Sequence, residues 1–249
     1  MLLKLFSALG RHPLAVLLTA LAMGTGVGVL RETAGSPVRD AADLGYAVIL
    51  LGSFGSAVLA LYRYRPATLI ARPHVAAFDT PPDVGLTLVI AAVTFQGSGT
   101  IADRLWEIAD GQELRGIGLT FAMAWAVIIS LAWWRLLRPL RVRLRPDGIE
   151  EHRAYGAMFV PWEAFAGVGY PAVPDGHGRV ALTFSRPDLV RGRGWRPLGS
   201  ALGPAGTDAL FLSRVLHEYA HRPDLRAAIG SEAERDRLVQ TWGSTPALR

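Results

Sequence analysis

Residues 117–134 read IGLTFAMAWAVIISLAWW, a run of eighteen positions without a charged side chain. Toward the N-terminus, three further segments of eighteen or nineteen residues also lack Asp, Glu, Lys and Arg: 13–30, 44–62 and 84–101. A helix crosses the apolar core of a bilayer with roughly 20 predominantly apolar residues, and the lower limit lies near 17. The sequence therefore predicts four membrane-spanning helices.

Buried helices in a large soluble protein are a second explanation of these segments. All four segments fall between Pro13 and Trp134, and the polar chain between them is too short to cover four apolar helices. Membrane spans therefore explain the pattern better than a soluble core does.

A secretory signal peptide is an alternative for the first segment alone. Lys4 and Arg11 precede the apolar run, and Ala20-Leu21-Ala22 resembles a cleavage site with small residues. The apolar run continues to Leu30, which is longer than a usual signal-peptide core and favours a span that is not cleaved.

Basic residues near the ends of the spans predict the orientation, because cytoplasmic loops of membrane proteins are enriched in Lys and Arg. With four spans, one side of the membrane has ten of them: Lys4, Arg11, Arg63, Arg65, Arg72, Arg135, Arg138, Arg141, Arg143 and Arg145. The other side has four: Arg31, Arg39, Arg104 and Arg115. The excess predicts a multi-pass protein of the cytoplasmic (inner) membrane with both termini in the cytoplasm.

The overall charge and the absence of cysteine narrow the classes of function. The formal net charge is +5 and the pI is about 10.1, which in a membrane protein indicates attraction to anionic lipid headgroups rather than to nucleic acid. The chain has no cysteine, so disulfides, thiol catalysis and thiolate metal sites are excluded. No nucleotide fingerprint or catalytic triad pattern is present, and we expect no cofactor.

After Trp134 the pattern changes to the two-residue alternation of β-strands. Val142 and Leu144 alternate with arginines, and the turn at Pro146-Asp147-Gly148 predicts a hairpin that returns through 149–153. The remaining predicted elements are strands at 158–162, 167–170 and 179–184, a long loop over 186–206 with a strand around Trp195, and helices at 208–221 and 231–242. Ser231 and Glu234 form the predicted capping box of the last helix.

Several short antiparallel strands closed by one amphipathic helix resemble the bacterial pleckstrin-homology-like (PH-like) domain that occurs fused to membrane spans. The matching residues are Leu144-Arg145-Pro146-Asp147-Gly148-Ile149, Val160-Pro161-Trp162 before Glu163, and Tyr219-Ala220-His221-Arg222-Pro223. The resemblance covers roughly 140–226, and the loop from Arg186 to Arg196 departs from it. It implies a small β barrel or sandwich capped by a helix, with a role in lipid contact, partner contact or self-assembly.

His217-Glu218-Tyr219-Ala220-His221 matches H-E-x-x-H, in which two histidines one helical turn apart bind zinc and the glutamate activates water. A membrane-bound zinc metalloprotease is therefore the alternative function. The angular positions on a helix argue against it, because at 100° per residue His217 and His221 fall almost opposite the apolar face. We predict a solvated polar face and no metal site.

Two groups of arginines are candidate sites for anionic headgroups. The first follows the fourth span and contains Arg138, Arg141, Arg143 and Arg145. The second lies in the glycine-bearing loop beside Trp195 and contains Arg191, Arg193 and Arg196. Each basic residue near an anionic membrane surface contributes about 1 kcal/mol to binding. Determination of topology explains the start of the first group equally well, and an exposed loop explains the second.

Small residues in the spans predict close helix packing, within the chain or between copies of it. Gly24 with Gly28, and Gly52 with Ser56, have the small-x-x-x-small spacing. Gln96 is the most polar residue in the spans and predicts a hydrogen bond between helices. The predicted spans contain no ionisable residue, which disfavours a small transporter.

These observations predict a membrane protein of α+β class with three parts. Residues 1–138 form the four-span region, 139–226 the PH-like cytoplasmic domain, and 227–249 a C-terminal helical tail. The predicted function is non-enzymatic: the cytoplasmic domain binds anionic lipid headgroups, a protein partner or another copy of the chain.

Overall fold

The computed structural model describes residues 9–10, 12–110, 116–138, 141–153, 156–175, 178–194, 201–203 and 206–243. The chain folds into two compact units. The helical unit consists of Met1–Tyr64 and Val84–Arg138, and the sheet unit consists of Arg65–Asp83 and Pro139–Arg249.

Four long helices form the helical unit: α1 (Pro13–Thr33), α2 (Ser36–Arg63), α3 (Val84–Ala109) and α4 (Gly116–Leu137). All four are long and apolar enough to cross a membrane, which confirms the predicted set of apolar helices. Each continues beyond its uncharged segment. Helix α3, for example, runs on without a break to Ala109.

Helix α3 lies at the centre of the helical unit. It packs against each of the other three helices, and most of its apolar stretch is buried, whereas α1, α2 and α4 are mostly exposed along theirs. Small residues on α3 allow this close packing: a Cβ added at Gly97 would lie 2.6 Å from Cε3 of Trp125 on α4. The arrangement is one central helix with three neighbours.

The four residues predicted to pack helices have different surroundings. Gly24 and Gly28 are buried against α3, where an added Cβ at Gly24 would lie 2.1 Å from the Ser98 hydroxyl and 2.3 Å from the Phe95 carbonyl oxygen. Gly52 is exposed, and nothing in the described chain lies within 4 Å of a Cβ built there. The Ser56 hydroxyl donates to a carbonyl of its own helix, that of Ser53.

The sheet unit contains two antiparallel sheets and two helices. The strands are β1 (Ile70–Arg72), β2 (Ala77–Asp79), β3 (Arg141–Arg145), β4 (Gly148–Arg153), β5 (Gly156–Pro161), β6 (Ala172–Pro174), β7 (Val180–Leu182), β8 (Arg191–Gly194) and β9 (Ala201–Leu202). The larger sheet has the order β1-β2-β3-β4-β5-β8, and the smaller has the order β6-β7-β9. The helices are α5 (Ala209–His221) and α6 (Glu232–Trp242). The predicted β3–β4 hairpin is present, with Leu144 opposite Ile149.

The sequence-based boundary after residue 138 places the 65–83 segment in the wrong part of the molecule. Strands β1 and β2 belong to the six-stranded sheet, in which Phe78 pairs with Leu144 of β3 and is fully buried. Each strand has three residues, which is too short to display an alternating pattern. The sheet unit is therefore built from two separate stretches of the chain.

Other boundaries in the second half of the chain also differ from prediction. The strand expected at 167–170 is wrong: Gly167 has a left-handed φ of 76° in a turn, and the strand begins at Ala172. The loop expected over 186–206 contains β8 and β9, while Trp195 lies outside the described residues.

One apolar core joins the two sheets and both helices. The inner face of the large sheet supplies Val142, Leu144, Ile149 and Val160, and α5 packs Phe211, Leu212, Val215, Leu216 and Tyr219 into the same cluster. The Asp208 carboxylate caps α5 by accepting from the Phe211 N–H at 2.7 Å. The described strands leave both sheets open, with β1 and β8 at the edges of the larger one, so of the predicted barrel or sandwich they do not form a closed barrel.

The C-terminal helix α6 belongs to this core and is not a separate tail. Leu238 is fully buried in the cluster, and the Tyr219 hydroxyl donates to Glu234 at 2.9 Å. The Ser231 hydroxyl caps α6 by accepting from the Glu234 N–H. The Glu234 carboxylate binds Tyr219 and Arg237, so only half of the predicted capping box forms.

Candidate anion-binding face

The outer face of the six-stranded sheet collects arginines from separate parts of the sequence. Strand alternation directs Val142 and Leu144 into the core and places Arg141, Arg143 and Arg145 on the opposite side. Residues that are paired across neighbouring strands share a face, so the register extends this surface in both directions. We call it the arginine face.

The register unites the two arginine groups that the sequence separates. Arg143 lies opposite Asp79 of β2 and Glu150 of β4, Glu150 lies opposite Phe159, and Phe159 lies opposite Arg191 of β8. Arg191 therefore belongs to the same face as the β3 arginines.

The other three predicted headgroup residues are Arg138, Arg193 and Arg196. Arg193 is paired with Ala157 in the β5–β8 register. Arg138 is at the end of the helical unit, with its guanidinium carbon 4.1 Å from the centre of the Trp134 ring. Arg196 lies outside the described residues.

Asp79 is the centre of the arginine face. It is only 3% exposed, and Arg143 binds it with two hydrogen bonds, Nε to Oδ1 at 2.7 Å and Nη2 to Oδ2 at 3.1 Å. Arg72 Nε and Arg141 Nη1 lie 3.4 and 3.7 Å from Oδ2. One buried carboxylate thus has three guanidiniums around it.

The arginines determine the ionisation of Asp79. Burial by itself would raise the pKa of this carboxyl, but the hydrogen bonds and charge of Arg143, together with the charges of Arg141 and Arg72, outweigh burial and lower the pKa below its ordinary value. Asp79 is therefore ionised at neutral pH and neutralises one of the three arginines.

Arg143 and Arg145 form ion pairs with acids of the sheet unit, which the sequence did not reveal. Arg143 is held by Asp79, and Arg145 forms a two-bond pair with Asp147 at 2.9 and 3.2 Å. Arg72 and Arg141 are different: their side chains are 46% and 32% exposed and make only longer contacts with Asp79. Around Asp79, the positive charge that is not closely paired with an acid therefore lies on Arg72 and Arg141.

An open groove of about 380 Å³ borders the β8 end of this face. It is lined by Phe159, Pro161 and Leu189 together with two arginines, Arg186 and Arg191, and two acids, Glu163 and Asp188. Arg191 thus lies beside apolar surface in a groove whose charges are balanced.

The H-E-x-x-H residues do not converge in the structure. His217 and His221 are exposed on α5 with ring centres 4.3 Å apart, on the side away from the core as the angular positions predict. Glu218 points elsewhere: it accepts from Trp242 Nε1 at 2.8 Å and pairs with Arg237 at 2.9 Å. Within the described ranges, no group of three or more His, Cys, Asp or Glu residues could hold a metal ion.

Substitutions at Glu218 and His217 distinguish a structural motif from a zinc site. We expect Glu218→Ala to lower the free energy of unfolding by about 2 kcal/mol, because it leaves Trp242 Nε1 and Arg237 without this carboxylate. His217→Ala, at an exposed position, should change the free energy by no more than about 0.5 kcal/mol. Chemical unfolding and elemental analysis of the full-length protein measure both effects. Stoichiometric zinc that is lost in His217→Ala would contradict this interpretation.

Polar side chains of the helical unit join helices to one another. The Tyr46 hydroxyl donates to Gln96 Oε1, and Trp133 Nε1 donates to the Thr94 hydroxyl at 2.9 Å. Gln96 therefore makes the predicted bond between helices, with a tyrosine partner that its sequence context did not indicate. Near the end of α1, Arg31 pairs with Asp43 of α2.

The arginine face combines a surplus of positive charge with a sheet that holds it in place. No protein-family model, curated protein or solved structure matches the chain.

Proposed function

We propose that this chain is a non-enzymatic integral protein of the cytoplasmic membrane that binds anionic lipid headgroups through its arginine face. The four helices α1 to α4 are its spans, and both termini and the sheet unit are cytoplasmic. The observation that carries the proposal is the set of three arginines around the single buried carboxylate of Asp79.

Membrane insertion is supported by the large side chains that the helical unit leaves uncovered. Leu44 and Leu51 of α2 and Met123 and Leu131 of α4 are among many exposed apolar residues on these helices. Fully burying a side chain of this size is worth about 1.5–3 kcal/mol, so a long apolar surface of this kind is unfavourable in water. A bilayer removes that cost.

The charge of the arginine face supports headgroups as the ligand. On the described strands this face has five arginines, Arg72, Arg141, Arg143, Arg145 and Arg191, and two acids, Asp79 and Glu150. A third acid, Asp147 in the turn after β3, pairs with Arg145. Arginine suits oxyanion recognition because its planar guanidinium offers five N–H donors in a fixed fork.

Short chain connections support a ligand that belongs to the membrane. Residues 138–140 join α4 to β3, and residues 80–83 join β2 to α3. Since an extended residue covers at most about 3.6 Å, a four-residue connection reaches no more than roughly 18 Å. Strands β2 and β3 of an inserted chain are thereby tethered to the membrane surface, where anionic headgroups are concentrated.

We propose further that the sheet unit is a PH-like domain. The hairpin of β3 and β4, the Pro161-Trp162 strand end and the closing helix α5 occur in the order that the resemblance implies. The additional strands β1 and β2 and the open sheets are departures from it.

Binding of short-chain lipids to the full-length protein tests the proposal. Protein in a neutral detergent is titrated with dioctanoyl phosphatidylglycerol or dioctanoyl phosphatidylcholine, and native mass spectrometry counts the bound lipids. We expect preferential binding of phosphatidylglycerol that weakens as ammonium acetate is raised. At about 1 kcal/mol for each arginine, the triple variant Arg72→Gln/Arg141→Gln/Arg191→Gln should bind it at least about tenfold more weakly.

The matched control removes three arginines elsewhere on the sheet unit, in Arg179→Gln/Arg222→Gln/Arg235→Gln. It lowers the net charge equally and should bind phosphatidylglycerol as the wild type does. Equal loss in the two triple variants, or equal binding of the two lipids by the wild type, would overturn the proposal and leave a protein partner as the ligand to seek.

A further inference from the structure

The charge around Asp79 is the starting point for a more specific assignment. Arg72, Arg141 and Arg143 carry three positive charges, and the ionised Asp79 carboxylate supplies one negative charge. Glu150 lies opposite Arg143 in the register and also approaches Arg145 and His152, while Arg145 pairs with Asp147. The Asp79 cluster therefore keeps an excess of positive charge.

The three arginines do not contribute equally to that excess. Arg143 gives its Nε and Nη2 donors to Asp79 in a two-bond pair, and its side chain is only 19% exposed. Arg72 and Arg141 approach Asp79 through one nitrogen each, at 3.4 and 3.7 Å, and Arg141 Nε is buried with no hydrogen-bond partner in the described part of the chain. Arg143 holds Asp79 in place, while Arg72 and Arg141 have donors to spare.

The spacing of these two arginines suits a small tetrahedral oxyanion. Arg72 Nε and Arg141 Nη1 both approach the same oxygen, Asp79 Oδ2, so they lie no more than about 7 Å apart. Charge-assisted N–H···O bonds are about 2.7–2.9 Å long, and two oxygens of one phosphate are separated by about 2.5 Å. One phosphate group can thus bridge two guanidinium nitrogens that are up to about 8 Å apart.

We infer that Arg72 and Arg141 form a binding subsite for a phosphate monoester, which an anionic lipid such as phosphatidic acid would present. The inference rests on the proposed function and deepens it. A phosphate monoester has a charge of about −1.5 to −2 at neutral pH, so this positive cluster attracts it more strongly than it attracts the phosphodiester of phosphatidylglycerol, which has a charge of about −1. Asp79 keeps the two guanidiniums close together although their charges repel.

The test compares two anionic lipids that differ in the phosphate. Full-length protein in a neutral detergent is titrated with dioctanoyl phosphatidic acid and, separately, with dioctanoyl phosphatidylglycerol, and the bound lipid is counted by native mass spectrometry. We expect phosphatidic acid to bind at least about tenfold more tightly. Arg72→Gln and Arg141→Gln should each remove most of that preference, and Arg141→Lys, which keeps the charge but loses the fork, should retain part of it.

Two controls guard against indirect effects. Arg222→Gln removes an equal charge from an exposed pair with Asp224 and should keep the full preference. Because Arg72 is exposed and Asp79 retains Arg143, Arg72→Gln should unfold at the same temperature as the wild type, so that its loss of binding cannot come from misfolding.

Competition identifies the source of the phosphate. If inorganic phosphate or glycerol 1-phosphate displaces phosphatidic acid at comparable concentration, the result supports a monoester subsite that also binds soluble ligands. Displacement only at far higher concentrations supports a lipid ligand. Equal affinity for the two lipids would overturn the inference and leave the proposed function intact, while the absence of binding to both would overturn both.

Discussion

Asparagine in place of Asp79 is expected to destabilise the sheet unit by about 3–5 kcal/mol, because a buried ion pair that loses one partner leaves its other charges uncompensated. Asp79 is 3% exposed and receives both hydrogen bonds of Arg143. The amide of asparagine has no charge to offset those of Arg72, Arg141 and Arg143. Hydrogen exchange in the full-length protein, measured by mass spectrometry on peptides that cover 141–153, reports the free energy of opening of β3 and β4.

The control is the same substitution at an exposed ion pair. Asp188 lies 3.7 Å from Arg186, and both side chains are more than half exposed. Pairs of this kind are worth at most about 1 kcal/mol, so Asp188→Asn should leave exchange in 141–153 unchanged. If Asp79→Asn also left exchange in 141–153 unchanged, the Asp79 carboxylate would not stabilise the arginine face.

The same residue predicts a dependence of stability on pH. Since the pKa of Asp79 is lowered in the folded protein, its contribution is fully present above the ordinary carboxyl value near 4 and is lost as the pH falls through the lowered value. Protection of 141–153 in the wild type should therefore decline in acid below about pH 4. In Asp79→Asn this part of the decline should be absent.

Alanine in place of Gly24 is expected to cost about 3 kcal/mol or more in the stability of the helical unit. The added methyl group would lie 2.3 Å from the Phe95 carbonyl oxygen, and a backbone atom cannot rotate away as a side chain can. Helix α1 would have to separate from α3 to make room. Unfolding in mixed micelles with increasing sodium dodecyl sulfate, followed by circular dichroism of the full-length protein, measures the loss.

Gly26, two residues further along α1, provides the control. Nothing lies within 4 Å of a Cβ built at Gly26, so Gly26→Ala should be neutral, or stabilising by up to about 1 kcal/mol through the better helix propensity of alanine. Similar losses in Gly24→Ala and Gly26→Ala would mean that the packing of α1 on α3 does not depend on close contact at Gly24.

Spacing along the chain predicted the faces of helices but not what covers those faces. Gly24 with Gly28 and Gly52 with Ser56 have the same spacing, yet the first pair is buried against α3 and Gly52 is open. The positions of His217 and His221 away from the core followed from the 100° between successive residues of a helix. The apolar residues that define the buried face of α5 belong to the same helix, so the sequence alone shows which side is opposite. A pattern within one helix predicts which side chains share a face, whereas the residues that pack against that face depend on the rest of the fold.

The arginine face illustrates the same limit for strands. Arg141, Arg143 and Arg145 were recognisable from the alternation in β3, but their union with Arg191 depends on the pairing of β5 with β8, which joins residues far apart in sequence. Asp79 had no local signal, since it ends a strand of only three residues, which is too short to show alternation. Two of the three arginines around it, Arg141 and Arg143, lie more than sixty positions later in the chain.

The two-part origin of the sheet unit sets a rule for biogenesis. Strand β2 is synthesised before α3 and α4, while its partner β3 is synthesised after them. In the proposed membrane arrangement, α3 and α4 carry the chain across the bilayer and back again, because β2 and β3 can pair only on the same side of it. This argument does not depend on any count of basic residues. Strand β2 can pair with β1 as soon as both are synthesised, but its second partner, β3, follows only after α4. A fragment that begins after α4 can never complete this sheet.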